Sequence, residues 1–454
     1  MLNQKEIKNI IICMAIIFLS NFSILMLALW SGSERSLINI DYFFAFFFLA
    51  FRQKILFILI FSIIYFFDFL GIFSQIFPFV RFVDIFYLLK FSFISSNSYK
   101  LYGLIIFFSL MIEFYLIIKL YRADLKNYLL VIFNIFIMIY GYYIYFGSNQ
   151  KVSFWKPEGK GVVASQFLNY LDYRNRGFIK TYTVDGEAFQ NGKVPSASKS
   201  LFNDFSKNKK ILLVVNESWG VPSEPDIQKD VLAPLLNSSK ITHIEQGEID
   251  FEGFTIGGEL RELCQKAVVH FNLKNQMKGF ENCLPNIYKK LGYQTVAVHG
   301  ALGLMYDREY WYPRAGFRKI YFRDQGLDLP NSHCYSFPGN CDRDMIQRIS
   351  KEFESNKKLF LYWLTLSTHA IYDERDLRVD LFNCKKHHIE GNTASCRNLK
   401  LQTQYFDTLS KLINSPALKG TYVVVVGDHE PPILREEKSV FLHSKVSYIN
   451  FEVK

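Results

Sequence analysis

The residues best suited to chemistry in this 454-residue chain follow two runs of strand-forming residues. The run 422–426 leads into Asp428 and His429, and the run 211–216 leads into Glu217. Continuous β-branched runs are typical of buried parallel strands, and sites in open α/β sheets lie at the carboxyl ends of such strands. Carboxylate and imidazole groups bind metals, so the pattern predicts a metal half-site. The alternative is an Asp-His pair in a surface turn.

Two further predicted strands end near a polar side chain. The strand 295–299 ends on His299, and His369 follows the strand 359–365. Because the carboxyl ends of parallel strands meet at one edge of a sheet, we expect both groups to lie beside the carboxylate-bearing strand ends. For His299, a buried structural histidine is the alternative.

Thr255 stands just before a predicted helix, in the segment Phe-Thr-Ile-Gly-Gly-Glu-Leu-Arg. The free N–H groups and the dipole of a helix N-terminus favour a phosphoryl or sulfuryl group. A threonine hydroxyl is a poor nucleophile unless a base or a metal activates it, and a divalent ion at the predicted half-site would do so. The alternative is a helix N-cap, which threonine fills well.

These residues require a framework of alternating strands and helices, and the chain from about residue 205 has that pattern. The alternation predicts an α/β sandwich with a mostly parallel central sheet. The predicted strands are residues 211–216, 295–299, 359–365 and 422–426, and the predicted helices are residues 258–267, 284–291, 342–355 and 398–412.

The first third of the chain has a different composition, dominated by Phe, Ile, Leu and Tyr up to residue 148. A helix that crosses a bilayer needs about 20 apolar residues. We predict a five-helix transmembrane domain over residues 1–148, a linker with interfacial helices over residues 149–200, and a catalytic domain over residues 201–454. The predicted spans are residues 8–30, 37–51, 55–77, 101–121 and 127–147.

Basic residues indicate the orientation of this membrane domain. Three loops on one side of the five spans carry them: Lys5, Lys8, Arg52, Lys54, Arg122 and Lys126. Such loops face the cytoplasm, so residues after 148 are expected on the opposite side. The loop 78–100 on that opposite side is also basic, and we expect it to lie along the membrane interface.

Two acidic residues, Asp68 and Glu113, fall inside predicted spans. Ionisable groups at that depth are costly and often functional. We predict a lipid-headgroup contact for Glu113. Pairing within the helical bundle is the alternative for both residues.

The cysteines divide between the two parts of the chain. Cys13 lies in the first span, and six others lie beyond residue 260: Cys264, Cys283, Cys334, Cys341, Cys384 and Cys396. An even number outside the cytoplasm predicts disulfides, and pairing in sequence order would close three short loops. Fifteen connectivities remain open. A structural zinc site is the weaker alternative, because no Cys-x-x-Cys pair occurs.

The formal net charge of +10 suits a protein beside an anionic membrane surface. Nucleic acid is not an expected partner, because no basic run is interleaved with aromatic residues.

The order of these motifs resembles the alkaline phosphatase–sulfatase superfamily. The matching segments are Val-Val-Asn-Glu-Ser at 214–218, the threonine at 255, Gly-Tyr-Gln-Thr and His-Gly within 292–300, Thr-His at 368–369 and Gly-Asp-His at 427–429. The membrane-anchored branch is the most similar. It includes lipid A phosphoethanolamine transferases, phosphoglycerol transferases of periplasmic glucans, and lipoteichoic acid synthase. The resemblance covers the whole chain in architecture and residues 211–443 in motif.

The resemblance implies roles for individual residues. The metal ligands would be Glu217, Thr255, Asp428 and His429, with Thr255 also the phosphorylated nucleophile. The implied metal is zinc, with manganese and magnesium as alternatives.

Two histidines would act beside the metal ligands. His369 matches the histidine that contacts the transferred group or protonates the leaving oxygen. His443 stands where phosphoethanolamine transferases keep a second histidine. Arg308 and Arg314 are candidates for binding an anionic acceptor, and packing of their stems is the alternative.

The implied function is the transfer of a phosphoethanolamine or phosphoglycerol headgroup from a membrane phospholipid to an envelope glycan or glycolipid. The enzyme would sit in the bacterial inner membrane with its catalytic domain in the periplasm. A membrane-anchored sulfatase or phosphodiesterase is the first alternative, although the sulfatase motif Cys/Ser-x-Pro-x-Arg is absent at Thr255. A non-catalytic envelope assembly protein is the second.

Overall fold

The computed structural model describes residues 3–76, 97–146, 161–176, 178–190, 192–203, 209–433 and 440–454. The chain divides into two compact units, Met1–Thr183 and Val184–Lys454. The first unit is helical, and the second contains a large sheet covered by helices. The predicted interfacial segment 78–100 lies mostly outside the described residues.

The first unit contains long apolar helices. In the hydrocarbon core of a bilayer, a single apolar segment of about 20 residues satisfies its backbone polar groups by forming a helix. Its helices are Gln4–Ser31, Tyr42–Ala50, Lys54–Ile76, Asn97–Leu120, Lys126–Phe146 and Gln166–Arg176, and two short strands pair in parallel, β1 (Ile38–Asn39) with β2 (Val163–Ala164). Among the described residues, four helices are long and apolar enough to cross a membrane: Gln4–Ser31, Lys54–Gln75, Gly103–Leu120 and Ala123–Phe146.

The prediction of a spanning helix at residues 37–51 is wrong. This segment contains strand β1 and a helix of 9 residues, Tyr42–Ala50. Such a helix rises about 13 Å, whereas the hydrocarbon core of a bilayer is about 30 Å thick. Hydropathy could not distinguish the two cases, because a short buried helix and a spanning helix are equally apolar.

Residues 37–51 nevertheless run back along helix Gln4–Ser31. The N–H of Asn39 donates to Asn21 Oδ1 (2.7 Å), in the middle of helix Gln4–Ser31. At the far end of the next long helix, Gln75 Nε2 donates to Glu34 O (2.7 Å). The helices Gln4–Ser31 and Lys54–Ile76 therefore run in the same direction, and the chain between them must run back.

Buried polar groups surround the non-helical part of this segment, before helix Tyr42–Ala50. Arg35 forms a two-bond ion pair with Asp68, with Nη2–Oδ2 and Nε–Oδ1 distances of 2.6 and 2.9 Å. The Asp68 carboxylate also accepts from Tyr42 (3.0 Å) and Asn39 (3.2 Å). Asp68 thus follows the alternative of pairing within the bundle, and it orients Arg35, which donates to the backbone at Ser36 O (2.9 Å).

Glu113 lies in the same unit and is buried. Its Oε1 accepts from the Ser23 N–H (3.1 Å). Its Oε2 has no hydrogen-bond partner within the described residues.

The basic loops that we assigned to one side meet at one end of this unit. Arg122 donates to Asn9 Oδ1 (2.7 Å), and the Lys126 ammonium lies 4.7 Å from the centre of the Phe51 ring. The start of the first helix and the loops near residues 52 and 124 are therefore neighbours.

The second unit is an α/β sandwich with a mostly parallel sheet, as the alternation predicted. The eight-stranded sheet has the order β4-β10-β9-β3-β8-β6-β7, with β5 paired to β10. Strands β9, β3, β8, β6 and β7 are mutually parallel, and β10 is antiparallel to β9, β4 and β5. Their bounds are β3 Lys210–Asn216, β4 Gly220–Pro222, β5 Ile241–Asp250, β6 Gln294–His299, β7 Lys319–Tyr321, β8 Leu359–Leu364, β9 Thr421–Gly427 and β10 Phe441–Val453.

Helices cover both faces of this sheet, because its central strands are apolar on both sides. On one face, Leu212, Trp363 and Val425 belong to a core with three helices, Pro225–Leu236, Asp342–Ser355 and Ala394–Ile413. On the other face lie the helices Thr255–Cys264, Leu284–Lys290 and Arg308–Ala315, where Tyr288 stacks on Phe360 at 5.0 Å.

The antiparallel strands β5 and β10 were not predicted from the sequence. Among the described strands, β5 pairs only with β10, and it is mostly exposed and rich in polar residues, as an edge strand can be. Strand β10 lies between β9 and the strands β4 and β5, but it reads His-Ser-Lys-Val-Ser in its first half. Neither strand has the continuous apolar run that identified the central parallel strands.

Three disulfides link cysteines of the second unit in sequence order: Cys264–Cys283, Cys334–Cys341 and Cys384–Cys396. Cys13 is free and buried. We expect alkylation of the denatured, unreduced protein to modify Cys13 alone, and alkylation after reduction to modify all 7 cysteines.

Peptide mass mapping checks this expectation, and Cys13→Ser is the control that should take up no label before reduction. Free thiols beyond residue 260 in the unreduced protein would contradict the disulfides.

Candidate active site

The predicted polar residues meet at the carboxyl edge of the sheet. The last residue pair between β3 and β9 joins Asn216 to Gly427, so Glu217 and Asp428 follow at the same level. On the other side of β3, Val215 pairs with Leu364 of β8. Parallel strands that end together explain why segments more than 200 residues apart in sequence form one site.

Three side chains form the centre of this edge. Nε2 of His429 lies 3.4 Å from Glu217 Oε1 and 3.3 Å from Asp428 Oδ2. Nδ1 of His429 lies 2.7 Å from Glu430 O. Only an N–H can donate to a carbonyl, so Nδ1 carries the proton and the Nε2 lone pair faces both carboxylates.

The electrostatics of this cluster favour a bound cation. Burial raises the pKa of the Asp428 carboxyl to about 7, and the charge of Glu217 adds to the effect. Burial lowers the pKa of His429, but Asp428 and Glu217 outweigh it and leave that pKa raised. Asp428 Oδ2 is buried without a hydrogen-bond donor in the described part of the chain. Two carboxylates and one imidazole with mutually close ligand atoms fit a divalent metal ion.

Thr255 completes this donor set. It is the first residue of helix Thr255–Cys264, whose N-cap is Phe254. Thr255 is therefore not the N-cap, and its Oγ1 donates to Glu217 Oε2 at 3.3 Å. The first intrahelical bond runs from the Gly258 N–H to Phe254 O (2.9 Å). The backbone N–H groups of residues 255–257 lie at the N-terminus of this helix, and a helix N-terminus favours an anion. Such an anion would lie beside the Thr255 hydroxyl.

The helix of Thr255 packs directly against the end of strand β9. A Cβ built on Gly258 would lie 2.6 Å from Asp428 O and 2.8 Å from its Cα, so only glycine fits there. Arg261 fastens the same contact, because Nη2 donates to Gly427 O (2.6 Å) and Nη1 to Asp428 O (3.4 Å). Arg261 was not predicted as a site residue, since nothing in the sequence shows that this cation is buried.

His369 lies near Asp428 and His429 of the candidate metal cluster. Its Nδ1 contacts the backbone carbonyl of Ala370, and its ring lies 4.6 Å from that of Phe337. Burial lowers the pKa of His369 to about 4, partly offset by the Ala370 carbonyl. The imidazole is therefore neutral at neutral pH, and its Nε2 can accept a proton.

The other two predicted histidines differ from each other in burial. His443 is 86% exposed on strand β10, with Nδ1 3.5 Å from the carboxylate of Glu430, the residue after His429. His299 is buried, and its Nδ1 lies 3.1 Å from Leu364 O. Burial holds the pKa of His299 well below its usual range, which suits a neutral structural histidine.

The two predicted arginines make internal contacts. Arg308 is buried in an ion pair with Glu259 (Nε–Oε2 3.0 Å), whose carboxylate also accepts from Tyr362 (3.1 Å). Arg314 donates to three backbone carbonyls, including Lys274 O (3.0 Å) and Tyr310 O (2.8 Å). These contacts favour the packing role for both arginines, because the guanidinium groups are already engaged.

We expect Gly258→Ala to weaken metal binding by about 10-fold or more, because the added methyl group pushes Thr255 and Asp428 apart. Gly257→Ala is the matched control, since its Cβ would meet only the Phe251 ring, at 3.1 Å. Chelator competition with mass-spectrometric metal analysis measures both variants. Equal affinity of the two would contradict the importance of this helix–strand contact.

Residues 264–447 match the family model described as Sulfatase. The matched segment contains His369 and the Asp428-His429 pair, and it begins after Glu217 and Thr255. None of the curated proteins compared with the sequence matches it.

Several solved structures are similar to this chain. Lipoteichoic acid synthase LtaP from Listeria monocytogenes is 15% identical, with 60% of this chain and 71% of that chain covered and a TM-score of 0.40. Phosphoglycerol transferase GacH from Streptococcus pyogenes is 14% identical, with coverages of 56% and 71% and a TM-score of 0.41. The C-terminal periplasmic domain of EcEptC from Escherichia coli, in a complex with zinc, is 15% identical, with coverages of 55% and 74% and a TM-score of 0.37.

The TM-scores of these structures are below 0.5, so the likeness that bears on classification is the family-model match. Residues 264–447, all within the second unit, are similar to the sulfatase family.

Proposed function

We propose that the protein is a metal-dependent transferase that moves a phospholipid-derived headgroup, phosphoethanolamine or phosphoglycerol, onto an envelope glycan or glycolipid. The observation that carries the proposal is the position of Thr255. Its hydroxyl lies 3.3 Å from Glu217 Oε2, at a helix N-terminus and beside the cluster of Glu217, Asp428 and His429. A nucleophile, a cation site and an anion site thus coincide.

The donor set supports zinc as the metal, with manganese and magnesium as alternatives. Three oxygen donors, from Glu217, Asp428 and Thr255, and one imidazole nitrogen, from His429, match the mixed ligands that zinc accepts. When bound, such an ion lowers the pKa of a coordinated hydroxyl and offsets negative charge on a phosphoryl group.

The reaction has two halves. In the first, Thr255 Oγ1 forms a bond to phosphorus, and the bond from phosphorus to the diacylglycerol oxygen breaks. The proton that Thr255 releases balances the proton that the departing oxygen takes up. In the second half, a hydroxyl oxygen of the acceptor attacks the same phosphorus, and the Thr255 oxygen leaves and regains a proton.

His369 and His443 are the proposed acid and base groups. A neutral His369 suits the second half, because it can accept the proton of the attacking hydroxyl. His443 lies at the exposed rim of the site beside Glu430, where an acceptor would approach from solvent. Glu113, His299, Arg308 and Arg314 are also proposed as substrate contacts. For the last three, the internal hydrogen bonds and ion pair compete with that role.

We place the enzyme in the bacterial inner membrane as a multi-pass protein with its sulfatase-like domain in the periplasm. Four long apolar helices support the membrane location. The partly helical segment 35–53 supports a fifth crossing, because the two long helices that it connects run in the same direction. A phospholipid donor and a glycan or glycolipid acceptor are then both accessible outside the cytoplasm.

We expect Thr255→Ala to abolish a covalent adduct, because it removes the atom that would bond to phosphorus. Intact-mass measurement after incubation with phospholipid should show a headgroup-sized increase on the wild-type protein alone. Thr393→Ala is the matched control. Its hydroxyl caps helix Ala394–Ile413 by accepting from the Cys396 N–H (3.2 Å), so its loss should cost about 1 kcal/mol of stability and leave the adduct.

Normal turnover by Thr255→Ala would show that another group is the nucleophile. Release of the headgroup to water in the presence of acceptor would instead support the phosphodiesterase or sulfatase alternative. A wild-type protein that takes up neither metal nor adduct would support a non-catalytic assembly protein.

Reporter fusions test the orientation. A reporter that is active only outside the cytoplasm should be inactive after residue 125 and active after residue 200, because one further crossing separates these positions. A fusion after residue 53 should also be inactive, since that loop lies at the same end of the unit as residue 125. Equal activity at residues 125 and 200 would refute the arrangement.

A further inference from the structure

The turn after strand β3 has a backbone conformation that other parts of the chain must stabilise. Ser218 has a φ of 55°, in the left-handed region that is unfavourable for residues other than glycine. There its N–H donates to Asp428 Oδ1 (2.7 Å) and its hydroxyl to Glu217 Oε1 (3.0 Å). Ser218, whose backbone conformation is unfavourable, therefore hydrogen-bonds to both carboxylates of the candidate metal centre.

The same turn exposes two consecutive backbone carbonyls to the protein interior, those of Glu217 and Ser218. The side-chain amide of Gln402 donates to both, with Nε2 2.9 Å from Glu217 O and 3.0 Å from Ser218 O, and the Thr368 hydroxyl also donates to Glu217 O (2.7 Å). Asn398 Nδ2 adds a second donor to Ser218 O at 3.1 Å. Buried carbonyls without donors are strongly unfavourable, so these amides stabilise the turn.

The amide of Gln402 is itself held in one orientation. Its Oε1 accepts from Asn216 Nδ2 (2.7 Å), and Asn216 Oδ1 accepts from the Thr365 hydroxyl (3.0 Å). All three side chains are buried. This chain of hydrogen bonds determines which end of the Gln402 amide faces the turn, because a flipped amide would place two acceptors together.

We propose that Gln402, assisted by Asn398, is a positioning residue for the metal ligand Glu217. Both residues lie on helix Ala394–Ile413, and their hydrogen bonds to this turn go to its backbone carbonyls. They act by keeping the Ser218 turn left-handed, so that the Glu217 carboxylate and the N–H that binds Asp428 keep their spacing. This role rests on the metal centre of the proposed function. It means that helix Ala394–Ile413, on the opposite face of the sheet from helix Thr255–Cys264, helps to position a metal ligand.

The test compares Gln402→Leu with Gln404→Leu in the full-length protein in detergent. Gln404 is the matched control because it is a buried glutamine on the same helix whose amide also binds backbone, at Val379 N (3.1 Å) and Asp376 O (3.0 Å). Both changes should lower the melting temperature of the metal-free protein by similar amounts. Only Gln402→Leu should weaken zinc binding, by about 10–100-fold in chelator competition.

A second variant keeps the test decisive if Gln402→Leu does not fold. Asn398→Leu removes one of the two donors to Ser218 O and leaves Gln402 in place. It should weaken zinc binding by about 10-fold, at the lower end of the same range. Wild-type zinc affinity in Asn398→Leu would then overturn the positioning role.

The outcomes also separate this inference from the proposed function. If the wild-type protein binds zinc and Gln402→Leu binds it equally well, the positioning role is refuted and the metal centre stands. If both glutamine variants weaken zinc binding equally, the effect is one of general stability and the role is again refuted. If the wild-type protein binds neither zinc nor another divalent ion, the positioning role and the proposed metal chemistry fail together.

Discussion

Two carboxylates, Glu217 and Asp428, are buried within contact of a single imidazole, and much of the second unit acts to keep them there. Burial raises the pKa of Asp428 to about 7, and the like charge of Glu217 adds to the effect, because both disfavour the ionised carboxylate in a low-dielectric interior. A divalent cation would remove the conflict by supplying the missing positive charge. The left-handed turn at Ser218 hydrogen-bonds to both carboxylates, and the amide of Gln402 binds the backbone of that turn. The hydrogen bond between His429 Nδ1 and Glu430 O orients Nε2 toward the carboxylates.

Thr255 reaches this centre because its helix packs directly against backbone. The first turn of helix Thr255–Cys264 rests on the end of strand β9, where Gly258 leaves no room for a side chain. Arg261 then ties the helix to the Gly427 and Asp428 carbonyls, so the helix cannot slide along the strand. Such a contact defines the position of the Thr255 hydroxyl more closely than side-chain packing would, because backbone atoms have no rotamers to adjust.

The helical unit meets a different constraint, the absence of water in a bilayer. The segment between helices Gln4–Ser31 and Lys54–Ile76 is partly non-helical, which leaves backbone groups in need of partners. Asn21 Oδ1 accepts from the Asn39 N–H, and Arg35 donates to Ser36 O. The buried Asp68 carboxylate pairs with Arg35 and binds the Asn39 side chain, so this acidic residue in an apolar helix has a structural explanation.

The sequence by itself determined the fold class, the central strands and most of the polar residues at the sheet edge. This was possible because a buried parallel strand is a continuous apolar run, and the residue that ends it is at the carboxyl edge by necessity. The same local patterns led to errors where they are ambiguous, as at residues 37–51, where a short buried helix has the hydropathy of a spanning one.

Only the tertiary structure decided how those residues are used. It places Thr255 at the first helical position with its hydroxyl on Glu217, not at the N-cap. It buries Arg308 against Glu259 and engages Arg314 with backbone carbonyls, and it brings in Arg261, Ser218 and Gln402. These roles depend on contacts between segments far apart in the chain. A single sequence records which side chains are present, but the burial and the partners of a polar group exist only after the chain has folded.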